Sequence, residues 1–314
     1  MEKGNKRALL VGCNYPNTPN ELHGCHNDVL AMHEVLITRF GFDPDHVEIL
    51  TDKPDSPVMP TGANIKKALN GMVDRAEEGD ILFFHYSGHG TLIKQPHYSS
   101  KKEEAIVPCD FNLITSMDFR QLVNRIPKGA TFTILSDSCH SGGLIDKETE
   151  QIGPSASSDG TVASEYHKLK EIPFQSILQY FISLTCKIST DIGTHLVEVF
   201  GADASLMFHH EGEPPISKPL KPDEGILLSG CQTNETSADV EIMENGRKPC
   251  GAFTNAVQMV LNENPGPLSN REIVVLARRI LVQQHFTKQH PCLYCSDENA
   301  DKIFLSSPQK PCPK

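Results

Sequence analysis

Two short stretches carry side chains able to do covalent chemistry. In "SDSCHSGG" (136–143) an apolar run ends in Asp137, Ser138 and Cys139, followed by His140 and two glycines. In "HYSGHG" (85–90) another apolar run ends just before His89 and Gly90. A thiol becomes a strong nucleophile only as its thiolate, and a nearby imidazole supplies both a base and a stabilising charge. The N–H groups of Gly90 and Cys139 could face a developing oxyanion, with glycine permitting the close approach. Taken singly, the cysteine reads equally well as a small buried hydrophobe and the histidine as a hydrogen-bonded structural residue. His140, the immediate neighbour of the cysteine, is expected to point away from it.

Both stretches sit where strands should end. "RALLVGC" (7–13), "DILFFHYSG" (80–88), "TFTILSD" (131–137) and "GILLSGC" (225–231) are continuously apolar, and "HVEILTD" (46–52) reads as a fifth strand. Continuous rather than alternating apolar character belongs to parallel strands covered by helices on both faces. Helical stretches are expected at 27–40, with Asn27 as N-cap, at 61–76, with Thr61 as N-cap, and at 117–126. The alternation predicts an α/β sheet, in which ligands gather at the carboxyl ends of strands. Neighbouring strands would then bring His89 and Cys139 together across 50 positions of sequence.

Composition narrows the partners. A formal charge of −11 argues against nucleic acid, whose phosphates need clustered Lys and Arg. No apolar run approaches the ~20 residues of a membrane span. The polar N-terminus has no secretory pattern, so a cytoplasmic product is expected, with the nucleus or apoplast as other compartments. Ten cysteines without a signal peptide read as reduced thiols. "PCLYC" (Cys292, Cys295), close to His290, has metal-ligand spacing but no second pair, so a zinc-binding module is a minor alternative.

The chain resembles the caspase-clan cysteine proteases, specifically the plant type II metacaspases, on "HYSGHG", "DSCHSGG", "VGCNYPNT", "ELHGCHNDV" and "SGCQTNETSAD". "PTGANIK", "IVPCDFNLIT" and "HPCLYCSDENAD" are most similar to the short-linker, metacaspase-9-like branch. The pentapeptide of true caspases is absent, and the spacing of about 50 residues from histidine to cysteine is a known caspase feature. The resemblance implies a caspase-like three-layer α/β/α sandwich with a mostly parallel central sheet. It implies Cys139 as nucleophile, His89 as general base and later acid, and Asp28 and Asp137 as the acidic pair of the specificity pocket. Two partly desolvated carboxylates suit a guanidinium or ammonium, so cleavage is expected after Arg or Lys. The structural alternative for Asp28 is a first-turn helix carboxylate. Cys25, three residues earlier, is a nearby thiol without an assigned role.

The same resemblance implies three parts: a large-subunit-like part at 1–146, a linker region at 147–223, and a small-subunit-like part at 224–314 that completes the sheet. The stretch 147–165, rich in Ser, Gly and acidic residues, reads as exposed, and 176–201 reads as helical. Family members are zymogens that cut themselves in the linker. Here "EYHKLKEIPF" offers Lys168 and Lys170, and the family pattern aligns the cut with Lys170, giving pieces of 170 and 144 residues. Calcium-binding positions correspond to Glu103 or Glu104, Asp118 and Asp146, but Ser116 and Met117 stand where calcium-dependent relatives are more acidic. Calcium needs six to eight oxygens, so no cofactor and at most a weak calcium site are expected. Protein or peptide substrates, no membrane, no nucleic acid and a monomeric state complete the expectation. A catalytically silent module on the same fold, and a conventional caspase cutting after Asp, are the other readings; nothing basic flanks Cys139 to serve the latter.

Overall fold

A computed structural model describes residues 4–93, 103–145, 150–153, 167–209, 225–232, 235–240 and 248–306. Its centre is a seven-stranded sheet in the order β2-β1-β3-β7-β10-β13-β8. The strands are β1 (Lys6–Gly12), β2 (Val47–Thr51), β3 (Ile81–Ser87), β7 (Thr131–Asp137), β8 (Glu150–Ile152), β10 (Ile226–Ser229) and β13 (Cys292–Tyr294). The five strands β2, β1, β3, β7 and β10 run parallel, and β13 is antiparallel to both of its neighbours.

Successive side chains on a strand point to opposite faces, and here both faces are apolar. Ala8, Leu10 and Phe83 join one core cluster, against helices α1 (Cys25–Thr38), α6 (Ala252–Glu263) and α7 (Asn270–Gln283). Leu9, Val11, Leu82 and Phe84 join the other, against α2 (Gly62–Asp74) and α3 (Ser116–Val123). That is the three-layer α/β/α sandwich, mostly parallel, that the sequence predicts.

Beside it stand two small antiparallel sheets. One joins β4 (Gly90–Ile93), β5 (Glu103–Ile106) and β6 (Ile114–Thr115); the other joins β9 (His167–Leu169), β11 (Ala238–Val240) and β12 (Cys250–Gly251). A third apolar cluster seats α4 (Phe174–Thr185) and α5 (Ile192–Phe200) on Ile93, Ala105, Val107 and Leu113.

Three local expectations need correction. Helix α1 opens at Cys25 behind Gly24, not at Asn27, whose side chain donates instead to the Pro249 carbonyl at 2.8 Å. The stretch 176–201 is two helices, broken at Cys186, which takes a left-handed φ of 56°; Asp191 then caps α5 through the N–H groups of Gly193 and Thr194. Within 147–165, residues 150–152 form the edge strand on β13, while 147–149 and 154–165 lie outside the described residues. Thr61 does cap α2, accepting from the Asn64 N–H.

Candidate active site

Strands β3 and β7 are neighbours in register, with Ser87 opposite Asp137. His89 and Cys139, each two residues further on, therefore leave the sheet at the same edge. Several hydrogen bonds hold His89, those of its carbonyl coming from the Val107 N–H and the Tyr86 hydroxyl. Its Nε2 donates to the Asn20 carbonyl at 2.7 Å, and its backbone N–H donates to the Tyr15 hydroxyl at 2.9 Å. A carbonyl can only accept, so the ring proton resides on Nε2 and Nδ1 keeps its lone pair. Nδ1 is buried and has no hydrogen-bond partner among the described residues. The Tyr15 ring lies 4.7 Å from the imidazole, and Asp52 fixes the Tyr15 backbone N–H at 2.6 Å. Burial lowers the His89 pKa to about 4, leaving the ring neutral at neutral pH.

Cys139 is fully buried. Burial raises its thiol well above the ordinary range, opposed by a hydrogen bond from the Ser237 N–H to Sγ at 3.0 Å. Gly90 follows His89 so tightly against the nucleophile loop that a Cβ there would stand 1.8 Å from the Cys139 carbonyl oxygen. Only glycine fits.

Across these groups lies the chain's own segment 167–172. The Lys170 carbonyl oxygen accepts from the Gly90 N–H at 2.9 Å and from the Cys139 N–H at 3.2 Å. Its own N–H donates to the Ser237 carbonyl at 2.9 Å, and the Ile172 N–H donates to the Gly90 carbonyl at 3.2 Å. The Lys170 side chain is fully buried, with Nζ 3.3 Å from Asp137, 3.5 Å from Asp28 and 2.9 Å from the Ser87 hydroxyl. Burial alone would lower this lysine's pKa, but Asp137, Cys25, Asp28 and Asp239 outweigh it and hold the ammonium charged. Burial likewise pushes Asp137 up, yet Lys170 and donors from Ser237 and Thr254 bring it below its ordinary value. Asp28, further from the ammonium, is raised by burial to about 7. Gly251 donates its N–H to Asp28 at 2.9 Å, and a Cβ there would come within 2.3 Å of Lys170 Nζ. Glycine at 251 is what leaves room for the cation.

All six residues singled out in sequence (His89, Gly90, Cys139, Asp28, Asp137 and Lys170) thus meet at one place. Asp28 is no free first-turn carboxylate, since the Ser87 hydroxyl and Gly251 N–H donate to it. Lys168 lies at the surface with Nζ 3.1 Å from the Glu21 carbonyl, away from the acidic pocket. His140, at φ 52°, turns its ring toward Glu171, 3.2 Å from a carboxylate oxygen. Asn20, Ser237 and Gly251 were not foreseen: Asn20 reaches His89, and Ser237 reaches the Cys139 sulfur, through backbone atoms that any residue type could supply, while the Ser237 hydroxyl also donates to Asp137 at 2.6 Å.

The calcium positions are engaged otherwise. Asp118 accepts from the Thr115 N–H at the head of α3 and from the distant Leu206 N–H, and Glu104 accepts from the Gly143 N–H. Glu103 accepts from the Ser116 hydroxyl, and Asp146 lies outside the described residues. His290 pairs with Glu235 at 2.6 Å rather than joining Cys292 and Cys295. Among the described residues no three His, Cys, Asp or Glu side chains are grouped to hold a metal ion, and no helix is long and apolar enough to cross a membrane.

Comparison with known proteins places this geometry. Residues 6–148 match the family model described as metacaspase, peptidase C14 domain. The chain is 56% identical to metacaspase-9 of Arabidopsis thaliana, covering 96% of this chain and 97% of that one. It is 36% identical to metacaspase-6 of the same plant, covering 96% and 99%. Among solved structures, protein GSU0716 from Geobacter sulfurreducens superposes with a TM-score of 0.64 at 18% identity, over 97% of this chain and all of that one; the likeness is one of fold. Fold and relatives define a cysteine-type peptidase of caspase-like architecture. The chain belongs to the metacaspases, in their plant type II branch. Proteins are accordingly its substrate class.

Proposed function

We propose that the chain is an endopeptidase that cuts after lysine or arginine with Cys139 and His89, and that it is made as a zymogen that first cuts itself after Lys170. The observation that carries this is the posture of Lys170: carbonyl oxygen on two amide donors, ammonium between two carboxylates. A substrate residue would have to adopt the same one.

Cys139 Sγ attacks the Lys170 carbonyl carbon while its proton passes to His89 Nδ1. The oxyanion is held by the Gly90 and Cys139 N–H groups, preorganised donors worth several kcal/mol at such a site. The bond to Glu171 nitrogen breaks as that amine takes the proton back from His89. Water, deprotonated by the same imidazole, then hydrolyses the thioester and leaves a carboxylate on Lys170. Asn20 holds the ring so that Nδ1 stays the basic nitrogen throughout. Asp28 and Asp137 hold the cation, and arginine suits the pair at least as well through its fork of donors.

The site is assembled within one chain, which supports a monomer. The residues at the calcium positions do not fit a strong site: one Asp118 oxygen already accepts from the Thr115 N–H that caps α3 and the other from the Leu206 N–H, and no step of the reaction uses the ion.

Purified wild type and Cys139→Ala are followed on gels and with peptides ending in Arg or in Asp, with calcium or with EDTA. The expected result is a new N-terminus at Glu171 in wild type alone, Arg cleavage without Asp cleavage, and little change on chelation. Processing of Cys139→Ala, or an unchanged cut site in Lys170→Ala, would sink the reading.

A further inference from the structure

The segment that delivers Lys170 to the pocket is a strand for the three residues before it. Strand β9 pairs antiparallel with β11, with Leu169 opposite Ala238, Lys168 opposite Asp239 and His167 opposite Val240. Counting back from the bond after Lys170, Leu169 is second, Lys168 third and His167 fourth. Leu169 is 48% exposed, and Lys168 lies at the surface with its side-chain nitrogen 3.1 Å from the Glu21 carbonyl. Neither position is enclosed. The fourth one is.

The His167 ring meets Phe286 edge to face, with centroids 5.8 Å apart and planes at 73°. Its Nδ1 is buried and has no hydrogen-bond partner among the described residues, so the contact is between rings rather than between polar atoms. Phe286 does not swing freely. His285 before it takes a left-handed φ of 67°, the Phe286 N–H donates to the Leu281 carbonyl at 2.8 Å, and its ring packs on the same core cluster as Val240. Three residues on, Gln289 ties the loop to β11: it accepts from the Ala238 N–H at 3.1 Å and donates to the Gly230 carbonyl and Ser237 hydroxyl. The wall is thus fixed relative to the strand that holds the substrate.

We propose that Phe286 is a specificity-determining residue, forming with Val240 a fourth subsite that takes a flat ring, imidazole or phenyl, four residues before the cut. This rests on the reading of Lys170 as the residue before the scissile bond. Bound substrate lies as a strand on β11, main-chain hydrogen bonds giving affinity and alternate side chains giving selectivity. An edge-to-face pair in such a setting favours a ring over glycine by about 3-fold to 10-fold.

The test uses the purified full-length chain and three fluorogenic peptides with the sequence of residues 167–170, carrying His, Phe or Gly at the first position. The quantity read is the kcat/KM ratio of ring-bearing to glycine peptide, in wild type, Phe286→Leu and Phe286→Tyr. The expected ratio is about 3 to 10 in wild type, near 1 in Phe286→Leu, and restored in Phe286→Tyr. A wild-type ratio near 1, or one that survives in Phe286→Leu, overturns the subsite while leaving cleavage after lysine intact. A wild type that cleaves none of the three while Cys139→Ala behaves identically overturns the protease reading, and the subsite with it.

Discussion

Replacing Lys170 by methionine keeps an unbranched stem of similar length and removes one charge from a pocket where Lys170, Asp28 and Asp137 are all essentially buried. Breaking a buried ion pair by deleting one partner costs about 3–5 kcal/mol, because the remaining charge loses its counterion. The variant can relieve this by keeping a proton on Asp28, whose pKa already lies at about 7 in the intact chain. The pH dependence follows from linkage. Above pH 7 the wild-type fold has released that proton and the variant fold holds it, while both unfolded chains have released it. Variant stability therefore falls faster as pH rises, and the gap widens by up to about 1.4 kcal/mol per pH unit. Below pH 7 both folds hold the proton and the gap is level. In a Cys139→Ala background, where no self-cleavage intervenes, thermal melts at pH 6, 7, 8 and 9 should show Lys170→Met lower by roughly 6–10 °C at pH 8, at about 2 °C per kcal/mol for a chain of this size. A melting temperature within 1 °C of the parent at every pH would refute the reasoning, since it would mean that the ammonium does not sit between the two carboxylates.

Other perturbations follow from the same contacts. Gly90→Ala should abolish both self-cleavage and peptide turnover, because its Cβ has no room beside the Cys139 carbonyl; retained turnover on a fluorogenic Arg peptide would contradict the oxyanion geometry. Tyr15→Phe removes the acceptor of the His89 N–H, leaving a buried donor unpaired at a cost of about 1–3 kcal/mol, and kcat should fall about tenfold or more with KM little changed. Burial raises the Cys139 thiol while Lys170 covers it, so iodoacetamide should label the uncut chain slowly at pH 7.5 and the processed chain at least tenfold faster, read by mass spectrometry. Equal labelling rates would show that the segment does not shield the sulfur.

The strands that carry the site were legible because burial on both faces leaves a mark: "ILFF" allows no polar face, and "TFTIL" interrupts its apolar residues only with β-branched threonines. The position of His89 and Cys139 just beyond two such runs followed from that alone, whereas their roles and the choice of Lys170 over Lys168 came from resemblance. What escaped had no residue-type signature. The Asn20 and Ser237 groups that matter most to ring and sulfur are a carbonyl and an N–H. Strands β9, β11 and β12 are two or three residues long, too short for an alternation to register. Asn27 misled for a related reason. The Gly24 N–H at the head of α1 finds its acceptor in Asp239, 215 positions away, so no local cap was needed and Asn27 was free to bond elsewhere.

The way segment 167–172 is tied down on both sides of Lys170 has a kinetic corollary. Upstream, β9 is stitched to β11; downstream, α4 and α5 are packed into an apolar cluster of their own. On the proposed reading, the bond after Lys170 is thus presented by the molecule to itself at a fixed local concentration, which for short tethers reaches the millimolar range. Maturation should then run as a first-order clock, its half-life the same in a dilute and a crowded sample. Any compound aimed at the uncut site must first outbid a tethered rival, so a screen on uncut protein would overlook ligands that bind the processed form well.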